Sequence, residues 1–238
     1  MANPLIFPGN LPRACLVRPD PVALEDPAPI WFNLTDPARL TLNPAGNVTA
    51  WQAQSGPVLR AVSYNQGGTE LTEGHLRFSK GRHGGLVLDA LPPLETLSLG
   101  LIYRTQGADP GTVLTVEGSA DGYAFVAAED GRITLGTKGD TPGLDQPDGT
   151  GVVLVLCSLS AEVNRIAVND EPALTGPGYL PSGPQIYIGC RGGKRSLLNK
   201  LGSFDLSDVM IWPGIDVLNP DAAQAARRVW QMRRGLGI

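Results

Sequence analysis

The chain has 238 residues, 42% of them apolar and 18% charged, enough for one large domain to bury a core without disulfides or metals. A net charge of −4 supplies no basic field for nucleic acid and is weakly repelled by an anionic membrane. No stretch approaches the ~18 consecutive apolar residues that would span a bilayer. Abundant glycine (30) and proline (21) favour many short strands joined by tight turns.

Residues 1–30 carry Pro4, Pro8, Pro12, Pro19, Pro21, Pro27 and Pro29, so this arm runs neither as a helix nor as a central strand. It also holds Leu5, Ile6, Phe7, Leu11, Leu16 and Val17, more apolar surface than a solvated tail needs. A flexible tail and an extended arm packed on its own domain or on a neighbouring subunit both remain open. The first residues show no charged segment leading into an apolar one, so synthesis and folding in the cytoplasm are expected. The sequons at Asn33-Leu34-Thr35 and Asn47-Val48-Thr49 then read as chance.

From residue 31 apolar and polar side chains alternate with period two, which places them on opposite faces of strands. Leu76 and Phe78 oppose His75 and Arg77; Leu97, Leu99 and Leu101 oppose Ser98 and Gly100. Further along, Ile133 and Leu135 oppose Arg132 and Thr134, Ile166 and Val168 oppose Arg165 and Asn169, and Ile186 and Ile188 oppose Gln185 and Tyr187. Val152 to Cys157 is apolar on both faces and suits a central strand. Gly67-Gly68, Gly84-Gly85, Asp121-Gly122, Asp130-Gly131 and Asp148-Gly149 punctuate these runs as turns. Thr137 to Gly151 reads as a long rim loop.

One helix is signalled, over 220–234. Asn219 can cap it, Pro220 suits its first position and Asp221 favours its positive end. Ala222, Ala226, Val229 and Trp230 form an apolar stripe; Arg227, Arg228, Arg233 and Arg234 read as a solvated face, and Gly235 as the stop. The odd set Cys15, Cys157 and Cys190 has no metal-ligand spacing and reads as free thiols, the latter two within apolar strand text.

The order of these features resembles the concanavalin A-like lectin/glucanase superfamily in its laminin-G-like form, common in phage and bacterial surface proteins. Trp31-Phe32-Asn33-Leu34, then Val48-Thr49-Ala50-Trp51 with Ser55-Gly56, look like its opening strands. Gly74-His75-Leu76-Arg77-Phe78 looks like the following strand, and Arg165-Ile166-Ala167-Val168-Asn169 is similar to its hairpin, with Asp170 where glycine is usual. Ile186-Tyr187-Ile188-Gly189 and Phe204 to Trp212 look like the closing strands. The resemblance covers residues 31–238. It implies an all-β, two-sheet antiparallel jelly-roll sandwich with a short C-terminal α-helix, preceded by the extended N-terminal arm.

The superfamily includes lectins, glycosidases and structural modules, so chemistry decides function. Its glucanases set their acids on one strand as E-x-D-x-x-E, and no such spacing occurs here. Glu25-Asp26, Glu129-Asp130 and Asp170-Glu171 are adjacent, so their side chains diverge on a strand. His75 and His83 read as surface residues, without a Gly-x-Ser-x-Gly turn or a third zinc ligand. An enzyme is not expected. No cofactor is expected either; calcium would need converging oxygens, and Asp121, Asp140, Asp145 and Asp148 are not ordered by a loop motif.

Sugar binding stacks an aromatic ring on a pyranose while polar groups hold its hydroxyls. Outward-facing Tyr187 with Tyr123, Tyr64 and Arg77 offers that, and Arg191 and Lys194 belong to a basic rim loop, 189–196, suited to an acidic or sugar partner. Trp31, Trp51, Trp212 and Trp230 are assigned to the core or to sheet-helix packing. The expected function is a non-enzymatic structural and adhesion subunit of a phage-like particle, such as a virion spike, a tail fibre or a gene-transfer-agent component. It would contact surface polysaccharide and other particle subunits, the latter through residues 1–30, as a homo-oligomer. The alternative is a stand-alone carbohydrate-binding protein or a degenerate glycoside hydrolase.

Overall fold

In the computed structural model each alternating run is an extended strand. The residues described are 28–63, 65–89, 91–107, 111–118, 122–129, 132–137, 143–145, 151–192, 198–218 and 220–236. The arm at 1–27, Cys15 and Asn219 therefore lie outside them. In chain order the strands are β1 (Ile30–Asn33), β2 (Leu40–Leu42), β3 (Val48–Gln52), β4 (Val58–Ala61), β5 (Thr69–Thr72), β6 (His75–Phe78), β7 (Leu86–Leu88) and β8 (Thr96–Thr105). There follow β9 (Gly111–Glu117), β10 (Tyr123–Glu129), β11 (Arg132–Gly136), β12 (Gly143–Asp145), β13 (Val152–Ser160), β14 (Val163–Val168), β15 (Leu174–Pro177), β16 (Gln185–Ile188) and β17 (Phe204–Pro213). The single α-helix among the described residues, α1 (Pro220–Leu236), follows the last strand.

The strands form two antiparallel sheets stacked as a jelly-roll sandwich. One, the helix-side sheet, runs β15-β14-β13-β8-β17-β6-β5 with β1 also beside β17. The other, the open sheet, runs β12-β11-β10-β9-β16-β7-β4-β3-β2. Their inner faces bury one continuous core that includes Phe32, Trp51, Leu59, Leu76, Leu99 and Phe204. Phe32 meets Trp51 edge-on at 5.6 Å, and Phe78 stacks on Phe204 at 4.6 Å, geometries that add to simple burial.

A second apolar cluster lies on the outside of the helix-side sheet. Ala226, Val229 and Trp230 of α1 press onto Ile102, Leu154, Leu156, Met210 and Trp212. Trp230 Nε1 donates to Val152 O at 2.9 Å. This coverage explains why β13 is apolar on both faces: Val153, Val155, Cys157 and Leu159 are buried against the core, and Val152, Leu154 and Leu156 beneath the helix. All four tryptophans are buried, Trp51 in the core between the sheets and Trp31, Trp212 and Trp230 in the cluster between sheet and helix.

β17 pairs with β8 along its length. On its other side Phe204–Leu206 pair with β6, and Asp208–Ile211 with β1. The register slips between Leu206 and Asp208, leaving Ser207 as a bulge whose hydroxyl donates to Ile102 O. The bulge restarts the alternation, so Asp205 and Asp208 reach the same outer face although three residues apart. Asp208 is fully buried there; it accepts from Arg233 Nε at 2.8 Å, Arg233 Nη2 at 3.0 Å and Trp31 Nε1 at 3.0 Å.

Several expectations need correction. Arg233 is 5% exposed rather than solvated, because it turns inward to Asp208. The helix continues to Leu236, so Gly235 sits in its last turn instead of ending it. Part of the expected rim loop is strand, since β12 pairs with β11 through Arg132 and Asp145. His75 and His83 are buried, at 7% and 2% exposure. Each is covered by a specific contact: His75 lies against Asp205, and His83 O accepts from Gln66 N and Gly68 N, which closes a loop over it. Asn33, in the first sequon, is buried with its Oδ1 accepting from Thr35. Cys157 and Cys190 are buried free thiols, as read.

Candidate functional site

The open sheet carries no helix on its outer face among the described residues. Strand register lines up side chains there. Phe125, Thr115, Tyr187, Val87 and Arg60 follow one another across β10, β9, β16, β7 and β4. Two residues along, Tyr123, Glu117 and Gln185 form a parallel row.

The segment after β16 folds back over this face. Thr115 Oγ1 donates to Cys190 O at 3.1 Å, and Gly192, at φ +58°, packs so tightly that a Cβ would fall 2.3 Å from Glu117 Oε2. That left-handed turn aims Arg191 at the two aromatic rings of β10. Its guanidinium carbon lies 3.8 Å from the Phe125 ring centre and 5.8 Å from that of Tyr123. Beneath, the Phe125 ring lies across Gly136, where a Cβ would collide at 2.0 Å. Gly136, Phe125 and Arg191 thus form one stack, with Tyr123 tilted beside it at 5.9 Å.

The guanidinium is held by π-faces, without an ion pair to any described carboxylate. Its Nε is buried and has no hydrogen-bond partner among the described residues. Stacking fixes the plane and leaves outward donors for a ligand. Tyr123, Phe125, Glu117, Gln185 and Arg191 are all half-buried, so each keeps accessible surface. Together they offer apolar rings, a carboxylate, an amide and a guanidinium within one shallow surface.

Three of the sequence-derived site residues therefore converge: Tyr187, Tyr123 and Arg191. Tyr187 departs from its expected role as an exposed stacking ring. It does lie on the outer face, but the returning segment covers it to 9% exposure among Val62, Cys190, Leu201 and Val87. Its hydroxyl donates to Gln185 Oε1 at 2.7 Å, and burial, aided by Glu117, pushes its phenol upward from the usual tyrosine value. Tyr187 thus positions Gln185. Lys194 and Tyr64 lie outside the described residues, as do Asp121, Asp140 and Asp148 and the side chain of Asp145. Among the described residues no group of three or more His, Cys, Asp or Glu side chains is placed to hold a metal.

Arg77 belongs elsewhere, on the outer face of the helix-side sheet. Its Nε donates to Asp205 Oδ1 at 3.0 Å; Gln106 Nε2 lies 2.7 and 2.8 Å from the two oxygens, and His75 Nε2 lies 3.2 Å from Oδ2. Burial alone would raise the Asp205 pKa, but contacts with His75, Arg77 and Gln106 outweigh it and hold the carboxyl well below the usual range. Phe125, Glu117 and Gln185 were missed in the sequence. Tyr123-x-Phe125 was a usable signal, since aromatic residues two apart on a strand share a face. The register that adds Glu117 and Gln185 is long-range.

No protein-family model matches the sequence, and no curated protein is similar to it. Solved structures are similar to it in part. Trypanosoma rangeli sialidase in complex with sialic acid is similar with a TM-score of 0.58 at 13% identity, over 87% of this chain and 33% of the sialidase. A heptameric SAP-like pentraxin from Limulus polyphemus is similar at 0.45 and 15% identity, over 60% of this chain and 73% of that one. Mouse laminin α1 domains LG4-5 give 0.42 and 15%, over 55% and 39%. The chain spans about a third of the sialidase's length. The sialidase likeness and the two antiparallel sheets show the fold, a jelly-roll sandwich.

Proposed function

We propose that this chain is a non-enzymatic, carbohydrate-binding adhesion subunit of a phage-like particle, a spike or fibre component that meets surface polysaccharide with its open sheet. The observation that carries the reading is the Arg191 guanidinium stacked on Phe125 beside the row Tyr123, Glu117 and Gln185. A sugar ring stacks on such a surface while its hydroxyls bond to the carboxylate, amide and guanidinium. The absence of catalysis is supported by the acids of β17: Asp205 and Asp208 are each engaged by cations, which leaves neither poised for glycosidic chemistry. The proline-rich arm at 1–30 supports docking to other particle subunits and a homo-oligomer.

A second reading, a stand-alone carbohydrate-binding protein or degenerate glycoside hydrolase, takes its place from the likeness to sialidase in complex with sialic acid. Binding to an array of cell-surface polysaccharides tests the shared core of both. Arg191→Ala and Tyr123→Ala should each weaken binding about tenfold, the loss of roughly 1–1.5 kcal/mol in stacking or cation contact. Silence across the array, or variants that bind as tightly as the unaltered chain, would overturn it.

A further inference from the structure

The outer face of the helix-side sheet holds a cleft of about 700 Å³, within the range of small-molecule sites. It lies where β8 starts, β13 ends and β14 begins, on the sheet opposite the Arg191 surface. Its floor is set by Thr96 and Ser158 on rigid central strands. Ser158 is 3% exposed and lines the cleft. Its hydroxyl, with those of Thr96 and Ser160, puts donors and acceptors along the cleft for a polar ligand.

The walls differ in chemistry. On one side Arg165 pairs with Asp216 through Nη1, leaving its remaining donors for other oxygens. At the rim Glu95 and Glu162 are exposed and have no partner among the described residues. Leu94 and Leu180 supply an apolar edge. Hydroxyl, guanidinium and carboxylates around a small apolar edge match the mixed surface of a pyranose. Three carboxylates against one guanidinium make the cleft acidic, so it repels a uronate and favours an amine.

We propose that this cleft is a second saccharide site, which accepts sugars without a carboxylate and prefers those bearing a free amine. It goes beyond the open-sheet reading and stands or falls separately from it. The test titrates the full chain with three hexasaccharides, a chitosan, a chitin and an oligogalacturonate, while following backbone amide NMR shifts. Chitosan and chitin oligomers should shift the amides of Thr96, Ser158 and Val163, the chitosan oligomer binding roughly tenfold more tightly, and the oligogalacturonate should leave them unmoved.

The double variant Glu95→Gln, Glu162→Gln changes only exposed side chains and should erase the amine preference while chitin binding persists. Arg191→Ala should change none of this. Shifts confined to Tyr123, Phe125 and Arg191 would support the open-sheet site and overturn the cleft. So would a cleft that responds to oligogalacturonate as strongly as to chitosan, or one that binds a lysine-rich peptide and no sugar.

Discussion

Replacing Arg233 by alanine removes the only described cation touching Asp208, and its cost can be worked from the geometry. Asp208 is fully buried and the Arg233 side chain is 6% exposed, with two donors at 2.8 and 3.0 Å. Breaking a buried pair from one side strands a charge and costs about 3–5 kcal/mol. Trp31 Nε1 still donates at 3.0 Å, which keeps the loss near the lower end, about 3 kcal/mol. That is a large share of an ordinary domain's stability, and lowers Tm by roughly 6–12 °C at this size. Urea unfolding followed by tryptophan fluorescence measures it, with Trp31 and Trp230 close to the break. Arg228→Ala, on the exposed side of the same helix, should stay within about 0.5 kcal/mol. The pair Arg233→Met with Asp208→Leu should recover most of the loss, because no charge is then left buried. A loss below about 1 kcal/mol in Arg233→Ala, or a double variant as unstable as the single, refutes the reasoning.

Other consequences are as direct. The folded-state pKa of Asp205 is depressed, so its contribution is present above the unfolded value near 3.9 and is lost as pH falls below that. Asp205→Asn should therefore flatten the fall in stability below about pH 4, seen in urea midpoints across pH, and an unchanged slope would exclude this role. Burial pushes the Cys157 and Cys190 thiols up to about 12, so iodoacetamide at pH 8 should label neither until the chain is unfolded. Mass spectrometry reads the outcome, and rapid native labelling of either would contradict it. Removal of residues 1–27, which spares Ile30 in its pairing with Ile211, should reduce the oligomer seen by light scattering. If both forms are monomers, the assembly role of the arm fails.

The sequence disclosed the sandwich because alternation is a local property, written at Leu76, Phe78, Ile186 and Ile188. It also disclosed that Val152 to Cys157 has two buried faces, without revealing that a helix covers one of them. Burial of His75, His83 and Arg233 was illegible: each is decided by a partner or covering segment remote in the chain, such as Asp205 or Asp208. The β17 bulge hid the shared face of those two acids, since one extra residue breaks the period on which alternation depends. At the candidate site Tyr123 and Arg191 were legible as types, whereas their meeting depends on the turn at Gly192. Tyr187 failed for the same reason: the segment that delivers Arg191 also covers it.

One carboxylate anchors both ends of the described chain: Asp208 holds Trp31 in β1 and Arg233 in α1. Trp31 and Arg233 thus lie on the helix side, with the thickness of the sandwich between them and Arg191. The molecule has a back and a front. A pull on either end of the described chain loads the buried ion pair before it reaches the open sheet.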